Sequence, residues 1–277
     1  MSLDGQEPVE DRIRRLQRKQ VVELAELQQL HRWLDDKREA RQSGRVIGES
    51  RTGKTFGCRH YVFLHPSKKR IGRPPHHRVL CVLPKADCEL LDFYRHILEE
   101  LGYRLTRGTV ADLRRRAHRA LVECMVEMII IDEAHRLRPK TFAAVRDISD
   151  GAMRDPSDQG PDPLPIAVIL VGTARLNAVV KVDEQVDNRF MPRHQVGRLV
   201  GQEFANTVAI WEDKVLELPV PSNLATDKKI LTELLRTSRG LIGILDAVLR
   251  AAAIHALKKG KGKIDRDILR DALAEYQ

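Results

Sequence analysis

Eight consecutive residues combine two glycines with a lysine and a hydroxyl side chain at a fixed spacing. They are Gly48, Glu49, Ser50, Arg51, Thr52, Gly53, Lys54 and Thr55. Glycines at these two places let the backbone curl so that successive N–H groups face an anion. The lysine suits β- and γ-phosphate oxygens, and the hydroxyl after it suits a Mg²⁺ ion. The pattern therefore predicts a phosphate-binding loop between an apolar strand and a helix.

An acidic pair follows one of the most apolar runs of the chain. Residues 128–131 are Met-Ile-Ile-Ile, and Asp132 and Glu133 come next. A buried parallel strand would deliver both carboxylates to the edge of the sheet where ligands bind. Asp132 is then expected to hold Mg²⁺, mainly through its water ligands, and Glu133 to orient and deprotonate the attacking water. Alone, the pair could instead cap a helix, but the phosphate-binding loop favours the magnesium and base roles.

A third apolar segment, residues 166–171, is followed by Gly172 and Thr173. We expect Thr173 to lie beside the two carboxylates, where it can hydrogen-bond the lytic water or the γ-phosphate. Its alternative role is to cap the helix that begins at Ala174, and the two roles are compatible. Because the sequence contains no Asn-Lys-x-Asp motif for guanine, ATP is favoured over GTP.

Strands and helices alternate around these motifs. Apolar periodicity predicts strands at 45–47, 79–83, 128–131, 166–171 and, weakly, 195–199. Helices are predicted at about 21–42, 54–64, 88–101, 110–123 and 203–216, with further helical segments up to residue 190 and a basic loop at 68–78. After residue 218 only helices are predicted, at about 227–237, 241–258 and 265–276. The fold class is therefore α/β, a parallel sheet flanked by helices and followed by a C-terminal helical lid.

Three parts follow from this pattern. Residues 1–20 form a basic N-terminal extension, residues 21–218 the nucleotide-binding core and residues 219–277 the helical lid. Within the core, residues 150–165 are rich in Asp, Pro and Gly. This stretch is expected to be a mobile insertion loop.

The composition is that of a globular protein. The 277 residues are 42% hydrophobic and 31% charged, which excludes a disordered or fibrous chain. The apolar runs fall far short of the ~18 residues that cross a bilayer, and the N-terminus lacks the apolar stretch of a secretory signal. The spacing of the four cysteines fits neither a zinc site nor a disulfide framework. Reduced thiols, a cytoplasmic location and no membrane partner are expected.

The net charge of +9 is confined to the first part of the chain. Residues 1–124 hold 26 Lys and Arg against 17 Asp and Glu, whereas residues 125–277 hold 22 of each kind. Seven arginines lie between residues 95 and 119, which indicates an anion-binding surface. A solvated helix face is the alternative.

The predicted helix 110–123 concentrates this charge on one side. Opposite its apolar face lie Arg115, Arg116, His118 and Arg119. Arg107 and Thr109 precede the helix, whose N-terminus suits a phosphate. The candidate contacts to double-stranded DNA are Arg107, Thr109, Arg115 and Arg119. Binding is expected to be independent of base sequence, because nothing in the chain resembles a recognition helix.

Taken in order along the chain, five features resemble those of the AAA+ ATPases. They are residues 48–55, Asp132-Glu133-Ala134, Val171-Gly172-Thr173, Asp187-Asn188-Arg189-Phe190 and the helical lid. More narrowly, residues 48–55, Ile130-Ile131-Asp132-Glu133-Ala134 and Asp183-Glu184-Gln185-Val186 resemble the TnsC/TniB group of transposition regulators. The greatest likeness is to the short TnsC proteins of CRISPR-associated transposons, over nearly the whole chain from about Val21.

This resemblance implies an ATPase that assembles into rings or helical filaments on double-stranded DNA. In the family, such a homo-oligomer links a target-selection factor of the TniQ type and an RNA-guided CRISPR effector to the transposase, in the bacterial cytosol near the nucleoid. ATP and Mg²⁺ lie between neighbouring subunits, and Arg189 matches the arginine finger that each neighbour supplies. The alternative for Arg189 is an ion pair with Asp183 or Asp187 on its own surface. The likeness also includes residues 107–110, a region that relatives use to follow a DNA backbone.

One departure from the family concerns the lid. Relatives often have an arginine directly after a Gly-x-x-Gly turn, whereas Gly240-Leu241-Ile242-Gly243 is followed here by Ile244. Arg239 and Arg250 are the alternatives for its role. Slow ATP hydrolysis, stimulated by DNA or a partner, is the expectation.

Other function classes stay open from the sequence. One is a different AAA+ DNA-remodelling or loader ATPase, similar to MuB or a helicase loader. Another is a P-loop small-molecule kinase, which would need a substrate pocket and no arginine from a neighbour. A non-catalytic ATP-gated scaffold would keep Lys54 but tolerate the loss of Glu133.

Overall fold

The computed structural model describes residues 8–104, 107–151 and 164–276. The helices are α1 (Val9–Gln17), α2 (Ala25–Glu39), α3 (Lys54–Leu64), α4 (Leu90–Glu100), α5 (Val110–Glu123), α6 (Pro139–Ser149), α7 (Ala174–Val180), α8 (Glu184–Arg189), α9 (Gly201–Trp211), α10 (Lys228–Ser238), α11 (Ile242–Lys258) and α12 (Arg266–Ala274). The strands are β1 (Gly44–Gly48), β2 (Lys68–Arg70), β3 (Arg73–His76), β4 (Val79–Val82), β5 (Met128–Ile131), β6 (Ala167–Gly172) and β7 (Arg193–Val196). A 3₁₀ turn at Ala134–Arg136 follows β5, and a π-helical turn at Glu212–Leu216 follows α9.

Five strands form a parallel sheet in the order β4-β5-β6-β1-β7. The chain starts in β1, crosses to the β4 edge, returns through β5 and β6, and finishes in β7 on the other side of β1. The direction of winding therefore reverses next to β1. In open α/β sheets, ligands bind at such a reversal, outside the carboxyl ends of the strands. The predicted α/β fold with a parallel sheet is confirmed.

Helices cover both faces of this sheet, which explains its uninterrupted apolar strands. In β5, Ile129 and Ile131 pack into one core with α4, α5 and α6, whereas Met128 and Ile130 pack into a second core with α2 and α3. All four side chains are at most 1% exposed. Because side chains alternate along a strand, a strand with two buried faces needs an apolar residue at every position. Each such burial contributes about 1.5–3 kcal/mol relative to exposure.

The chain divides into two compact units. The larger, Ala25–Val196, contains the sheet, and the smaller joins the described residues up to Leu24 to those from Gly197 onward. In the smaller unit, Leu16 of α1 and Phe204 of α9 share one core with α10, α11 and α12. This packing places α9 and the π-helical turn with the C-terminal helices, so the division at residue 196 precedes the boundary expected at 218. None of the described helices is both long and apolar enough to cross a membrane.

Residues 68–78 contain a β-hairpin where the sequence was expected to form a loop. Strands β2 and β3 are antiparallel, with Lys68 opposite His76 and Arg70 opposite Arg73. Gly72 in the turn has a φ of +66°, a conformation that glycine adopts without strain. The sequence did not predict β3 because it contains two prolines, which cannot donate hydrogen bonds to a neighbouring strand. A two-stranded ribbon tolerates them because the outer side of each strand is a free edge.

Two helices were also missing from the predicted elements, α1 and α6. Pro139 occupies the first turn of α6, a common helix-starting position that could have revealed it. Most of the insertion loop expected at 150–165 lies outside the described residues, as do residues 1–7 of the N-terminal extension.

We expect Gly240→Ala to destabilise the smaller unit more than Gly260→Ala. Both glycines have a φ near +70°, so each alanine carries a similar left-handed strain of about 1–2 kcal/mol. A Cβ at Gly240 would lie 2.3 Å from the carbonyl oxygen of Leu199, whereas one at Gly260 would meet nothing within 4 Å. Thermal unfolding should show the larger fall in Tm for Gly240→Ala. Equal falls would mean that the backbone at Leu199 shifts at no cost.

Candidate active site

The three motifs found in the sequence follow three adjacent strands. Strands β5, β6 and β1 are neighbours in that order, and their parallel direction places all three carboxyl ends at one edge of the sheet. The acidic pair follows β5, Thr173 follows β6, and the glycine-rich loop follows β1. Thr55 and Asp132 meet there, with the hydroxyl of Thr55 3.3 Å from Asp132 Oδ1.

The glycine-rich loop depends on both of its glycines. A Cβ at Gly48 would lie 2.4 Å from the carbonyl oxygen of Val196 in β7 and 3.0 Å from Thr52 Oγ1. Gly53, directly before α3, has a φ of +92°. The loop therefore turns back tightly and leads into the N-terminus of an 11-residue helix, where backbone N–H groups suit a phosphate. Glu49, Ser50 and Arg51 are on the exposed side of the loop.

Lys54 points back into this loop. Its side chain is buried, and the ammonium donates hydrogen bonds to the carbonyl oxygen of Glu49 and, at 3.3 Å, to Thr52 Oγ1. Burial lowers the pKa of Lys54, although the charges of Glu133 and Asp132 oppose this shift. Phosphate oxygens can replace both acceptors, and their negative charge would compensate the cost of burying the ammonium.

Asp132 has one satisfied and one unsatisfied oxygen. Asp132 is 2% exposed, and its Oδ1 accepts from the Thr55 hydroxyl and, at 3.0 Å, from the Glu133 amide. Oδ2 is buried and has no hydrogen-bond partner among the described residues. Burial also raises the pKa of this carboxyl. A buried acceptor without a partner is costly, and a cation bound beside it would remove the cost.

The residues around Asp132 fit a Mg²⁺ ion that is also bound by phosphates. Mg²⁺ is usually held by one or two protein oxygens together with water and phosphate oxygens, and Thr55 and Asp132 supply such a pair. Within the described residues, no group of three or more His, Cys, Asp and Glu side chains could hold a metal ion.

Glu133 is held at the start of the 3₁₀ turn with a φ of +52°. Its side chain is partly exposed, and its Oε2 lies 3.6 Å from Nε2 of His135. A carboxylate in this position can contact a water molecule outside the strand ends. His135 was not among the predicted site residues, although its place two residues after Glu133 could have suggested the contact. Thr173 occupies the N-cap position of α7 without a capping hydrogen bond from its side chain.

Arg189 lies at the opposite end of the strands, beside their amino ends. It ends α8, just before β7, and Arg193 of β7 pairs with Arg45 at the start of β1. The glycine-rich loop follows the other end of β1, and a strand rises about 3.3 Å per residue, so roughly 15 Å separates the two places. Arg189 forms an ion pair with Asp150 at the end of α6.

The two partners weighed for Arg189 on its own surface have other roles. Asp183 caps α8, with Oδ1 accepting from Gln185 N at 2.9 Å, and Asp187 forms an ion pair with Arg45. Arg189 therefore forms an ion pair on its own surface, as the alternative interpretation expected, but with Asp150 instead of Asp183 or Asp187. Asp150 was not recognised as a partner because it is distant in sequence.

Arg45 is a buried residue that sequence analysis did not single out. Its side chain is fully buried and donates to the carbonyl oxygens of Phe190 at 2.7 Å and Asp187 at 3.0 Å, and to Asn177 Oδ1 at 3.2 Å. These bonds hold the chain between α7 and β7, which contains Arg189. A charged residue within an apolar strand was the available signal.

At the start of α5, the carboxylate of Asp112 already accepts hydrogen bonds from the nearby polar groups. The hydroxyl and amide of Thr109 donate to Asp112 Oδ2 at 2.8 and 3.1 Å, and Arg115 donates to Oδ1 at 2.7 Å. The bonds from Thr109, followed by that from Arg115, lower the pKa of Asp112 to about 2. A phosphate at this helix start would therefore compete with Asp112. Arg107 and Arg119 are exposed.

His118 was expected on the polar side of α5, and that expectation is wrong. The side chain is 1% exposed and its ring lies 6.2 Å from that of Tyr94 in α4. Burial lowers its pKa to about 4. The packing of α4 against α5 therefore extends further around the helix than the apolar residues alone indicated.

In the smaller unit, the two alternatives for the missing lid arginine differ. Arg250 donates to Asp246 Oδ1 at 2.6 Å and to the carbonyl oxygens of Leu16 and Arg18 at 2.6 and 2.9 Å. It therefore holds the end of α1. Arg239 is exposed, and its side chain has no partner among the described residues.

Comparisons with known proteins agree with this geometry. Residues 9–197 match the family described as Bacterial TniB protein, and no curated protein matches the chain. Among solved structures, the Aeropyrum pernix ORC2 protein in its ADPNP-ADP complexes has a TM-score of 0.68 at 14% identity, over 95% of this chain and 71% of that chain. Cdc6p from Pyrobaculum aerophilum has a TM-score of 0.64 at 16% identity, over 90% and 66%. Drosophila ORC bound to DNA has a TM-score of 0.63 at 13% identity, over 99% of this chain and 67% of that chain. These likenesses show the AAA+ fold.

We expect Asp132→Asn to remove the effect of Mg²⁺ on nucleotide affinity. The amide has the shape of the carboxylate and its oxygen can still accept from Thr55, but it lacks the charge that attracts the metal. A fluorescent ATP analogue should bind the parent at least about tenfold more tightly with Mg²⁺ than with EDTA, a difference of about 1.4 kcal/mol. The variant should bind equally in both conditions. Asp267→Asn, at an exposed position of α12, is the matched control. A parent-like response of Asp132→Asn would place the metal elsewhere.

Proposed function

The chain belongs to the TniB family, and from this premise we propose that it is an ATP-dependent, DNA-binding regulator of transposition. In this proposal the protein assembles into rings or filaments on duplex DNA and couples the choice of a target site to the transposase. Its further partners are a TniQ-type target-selection factor and an RNA-guided CRISPR effector, as in the short TnsC proteins that the sequence resembles.

One observation carries the proposal, the separation of Arg189 from the rest of the site. Lys54, Thr55, Asp132 and Glu133 lie at one edge of the sheet, and Arg189 precedes the strand start at the other edge. An arginine so placed cannot reach a phosphate bound by its own Lys54. It can reach a phosphate bound by a neighbouring copy, which supports a site shared between subunits. A small-molecule kinase that acts as a single subunit does not need a site shared between subunits.

Each side chain has a distinct role in the proposed hydrolysis of ATP to ADP and phosphate. Lys54 exchanges its loop acceptors for β- and γ-phosphate oxygens, and Thr55 and Asp132 hold Mg²⁺. Glu133 orients the attacking water and takes its proton, and the Thr173 hydroxyl hydrogen-bonds that water or the γ-phosphate. Arg189 of a neighbour stabilises the charge that develops in the transition state. Hydrolysis is slow in isolated subunits because this arginine arrives only in the assembly.

Duplex DNA is the proposed activator. The exposed Arg107 precedes α5 and the exposed Arg119 lies within it, both in the basic first part of the chain. Contacts from arginine to phosphate add affinity without reading the bases. The structural neighbours include the Aeropyrum pernix ORC2 protein in its ADPNP-ADP complexes and a DNA-bound Drosophila ORC, which is consistent with both ligands.

Two substitutions separate nucleotide binding from hydrolysis. Lys54→Ala should abolish ATP binding and, with it, assembly on DNA, because it removes the cation that contacts the phosphates. Glu133→Gln should keep ATP binding and prolong the life of the DNA-bound assembly, because the base is lost. Filter binding of ATP and the rate of dissociation from DNA measure both effects. If Glu133→Gln leaves DNA as fast as the parent, Glu133 is not the base.

The shared site is tested by mixing two inactive variants. Arg189→Ala should bind ATP but lose DNA-stimulated hydrolysis, since arginine fingers contribute about 10³–10⁵ in turnover. Lys54→Ala should also be inactive, but an interface between the two variants can join an intact loop to an intact arginine. Partial recovery of ATPase activity in the mixture is therefore expected. Co-assembly without any recovery would show that Arg189 does not act on a neighbour.

An Arg189→Lys variant provides the matched control. Lysine keeps the charge and can keep the ion pair with Asp150, but it lacks the planar group that contacts two oxygens at once. Its turnover should lie between those of the parent and Arg189→Ala. Parent-like hydrolysis by Arg189→Ala would contradict the proposed role.

A further inference from the structure

The β2–β3 hairpin lies in a long segment without acidic residues. No Asp or Glu occurs between Glu49 and Asp87, whereas the same residues include nine Lys and Arg. Five of the nine lie between Lys68 and Arg78, together with His76 and His77. The hairpin is thus the most basic element of the larger unit, and the predicted DNA contacts on α5 do not account for it.

The hairpin is anchored to the body of the larger unit through Arg70. This guanidinium donates to the carbonyl oxygen of Pro74 at 2.7 Å across the ribbon and to that of Glu123 at the end of α5. It also lies 3.0 Å from the sulfur of Met125. On the returning side, the amide of His77 donates to the carbonyl oxygen of Cys124 at 2.9 Å. The hairpin therefore has a fixed orientation beside the C-terminal end of α5.

Three cations on this ribbon project outward. Lys68, Lys69 and Arg73 are exposed, and none of the three has an ion pair or side-chain hydrogen bond with the described residues. Ile71, at the tip, is fully exposed. Of the five cations between Lys68 and Arg78, Arg70 makes the anchoring bonds described above, and Arg78 forms an ion pair with Glu127 at 3.6 Å. The other three are therefore available to a negatively charged ligand.

The hairpin continues a basic surface that begins on α5. Strand β3 packs against α5, and α5 exposes Arg115, Arg116 and Arg119. A helix of 14 residues is about 20 Å long, so this surface extends well beyond the first turn of α5, where Asp112 competes for Thr109 and Arg115. The hairpin lies beside the C-terminal end of α5 and contains no acidic residue that could compete for its cations in this way.

We infer that the β2–β3 hairpin binds the phosphate backbone of duplex DNA through Lys68, Lys69 and Arg73. This inference rests on the proposed function, of which it identifies a second DNA contact. A two-stranded ribbon has the dimensions to lie along or in a groove of the duplex, and lysine and arginine contact phosphates without base preference.

Other ligands fit the hairpin less well. The ribbon has no Phe, Tyr or Trp side chain, the large aromatic groups on which single-stranded bases stack most strongly. A protein partner would require an apolar centre with aromatic anchors, and Ile71 is the one large aliphatic residue between Lys68 and Arg78. Repeating phosphates at close spacing match three unpaired cations on one short ribbon.

The test compares two triple variants that remove the same charge. Lys68→Gln, Lys69→Gln and Arg73→Gln are combined in one protein, and Lys228→Gln, Lys229→Gln and Arg236→Gln, three exposed residues of α10, are combined in the control. Binding of a fluorescent 30-base-pair duplex is measured by anisotropy with a non-hydrolysable ATP analogue, at several salt concentrations. Two duplexes of unrelated sequence are used.

The hairpin variant should bind both duplexes about tenfold more weakly than the parent. Its log–log salt slope should fall by about 2–3, because each phosphate that is no longer neutralised lowers the slope by close to one. The control should stay within about twofold of the parent. Binding of the ATP analogue should be unchanged in both variants, which verifies their folding. Equally weakened binding by the two variants, or parent-like DNA binding by the hairpin variant, would overturn the inference.

The failure of the hairpin inference is distinguishable from failure of the proposed function. If the parent does not bind duplex DNA in the presence of nucleotide, the proposed function itself is wrong. If the parent binds and the hairpin variant binds equally, only the hairpin contact is wrong. A hairpin variant that keeps DNA binding but no longer recruits the transposase would assign the ribbon to a protein partner instead.

Discussion

The hydroxyl of Thr55 and the carboxylate of Asp132 meet at 3.3 Å although they follow strands that are not adjacent. Strand β6 lies between β1 and β5, so this contact requires the correct register at two strand pairs. A slip of one residue at either pair would move the strand end by about 3.3 Å and turn its side chains to the other face. The loop, the acidic pair and Thr173 all depend on this register. The two apolar cores that cover the sheet maintain it.

At the amino ends of the strands, Arg45 makes the hydrogen bonds that hold the neighbouring segment in place. A fully buried guanidinium is costly unless its donors are used, and here they bind two carbonyl oxygens, an amide and the carboxylate of Asp187. These partners all belong to the segment from α7 to the residue after α8. One buried residue of β1 thus connects the strand that leads into the glycine-rich loop with the segment that carries Arg189. In the proposed assembly, the same strand supports both halves of the shared site.

Much of this arrangement follows from local sequence, and the exceptions have identifiable causes. The strand β5 was predictable because burial on two faces requires a continuous apolar run, and α5 because Thr109 and Asp112 form a capping box at its start. The burial of His118 was not predictable, because it depends on how closely α4 approaches α5. The pairing of Arg189 with Asp150 joins residues far apart in sequence. The hairpin was hidden by its prolines, and the division at residue 196 depends on which core Phe204 enters.

The central claim is that nucleotide completes a site between subunits and so drives assembly on DNA. Electron microscopy of the protein with duplex DNA, with and without ATP, tests it most directly. The account predicts ordered rings or filaments on the duplex only with ATP, and a subunit contact that places Arg189 beside the glycine-rich loop of the next copy. The same assemblies without nucleotide, or isolated subunits on DNA in both conditions, would contradict it.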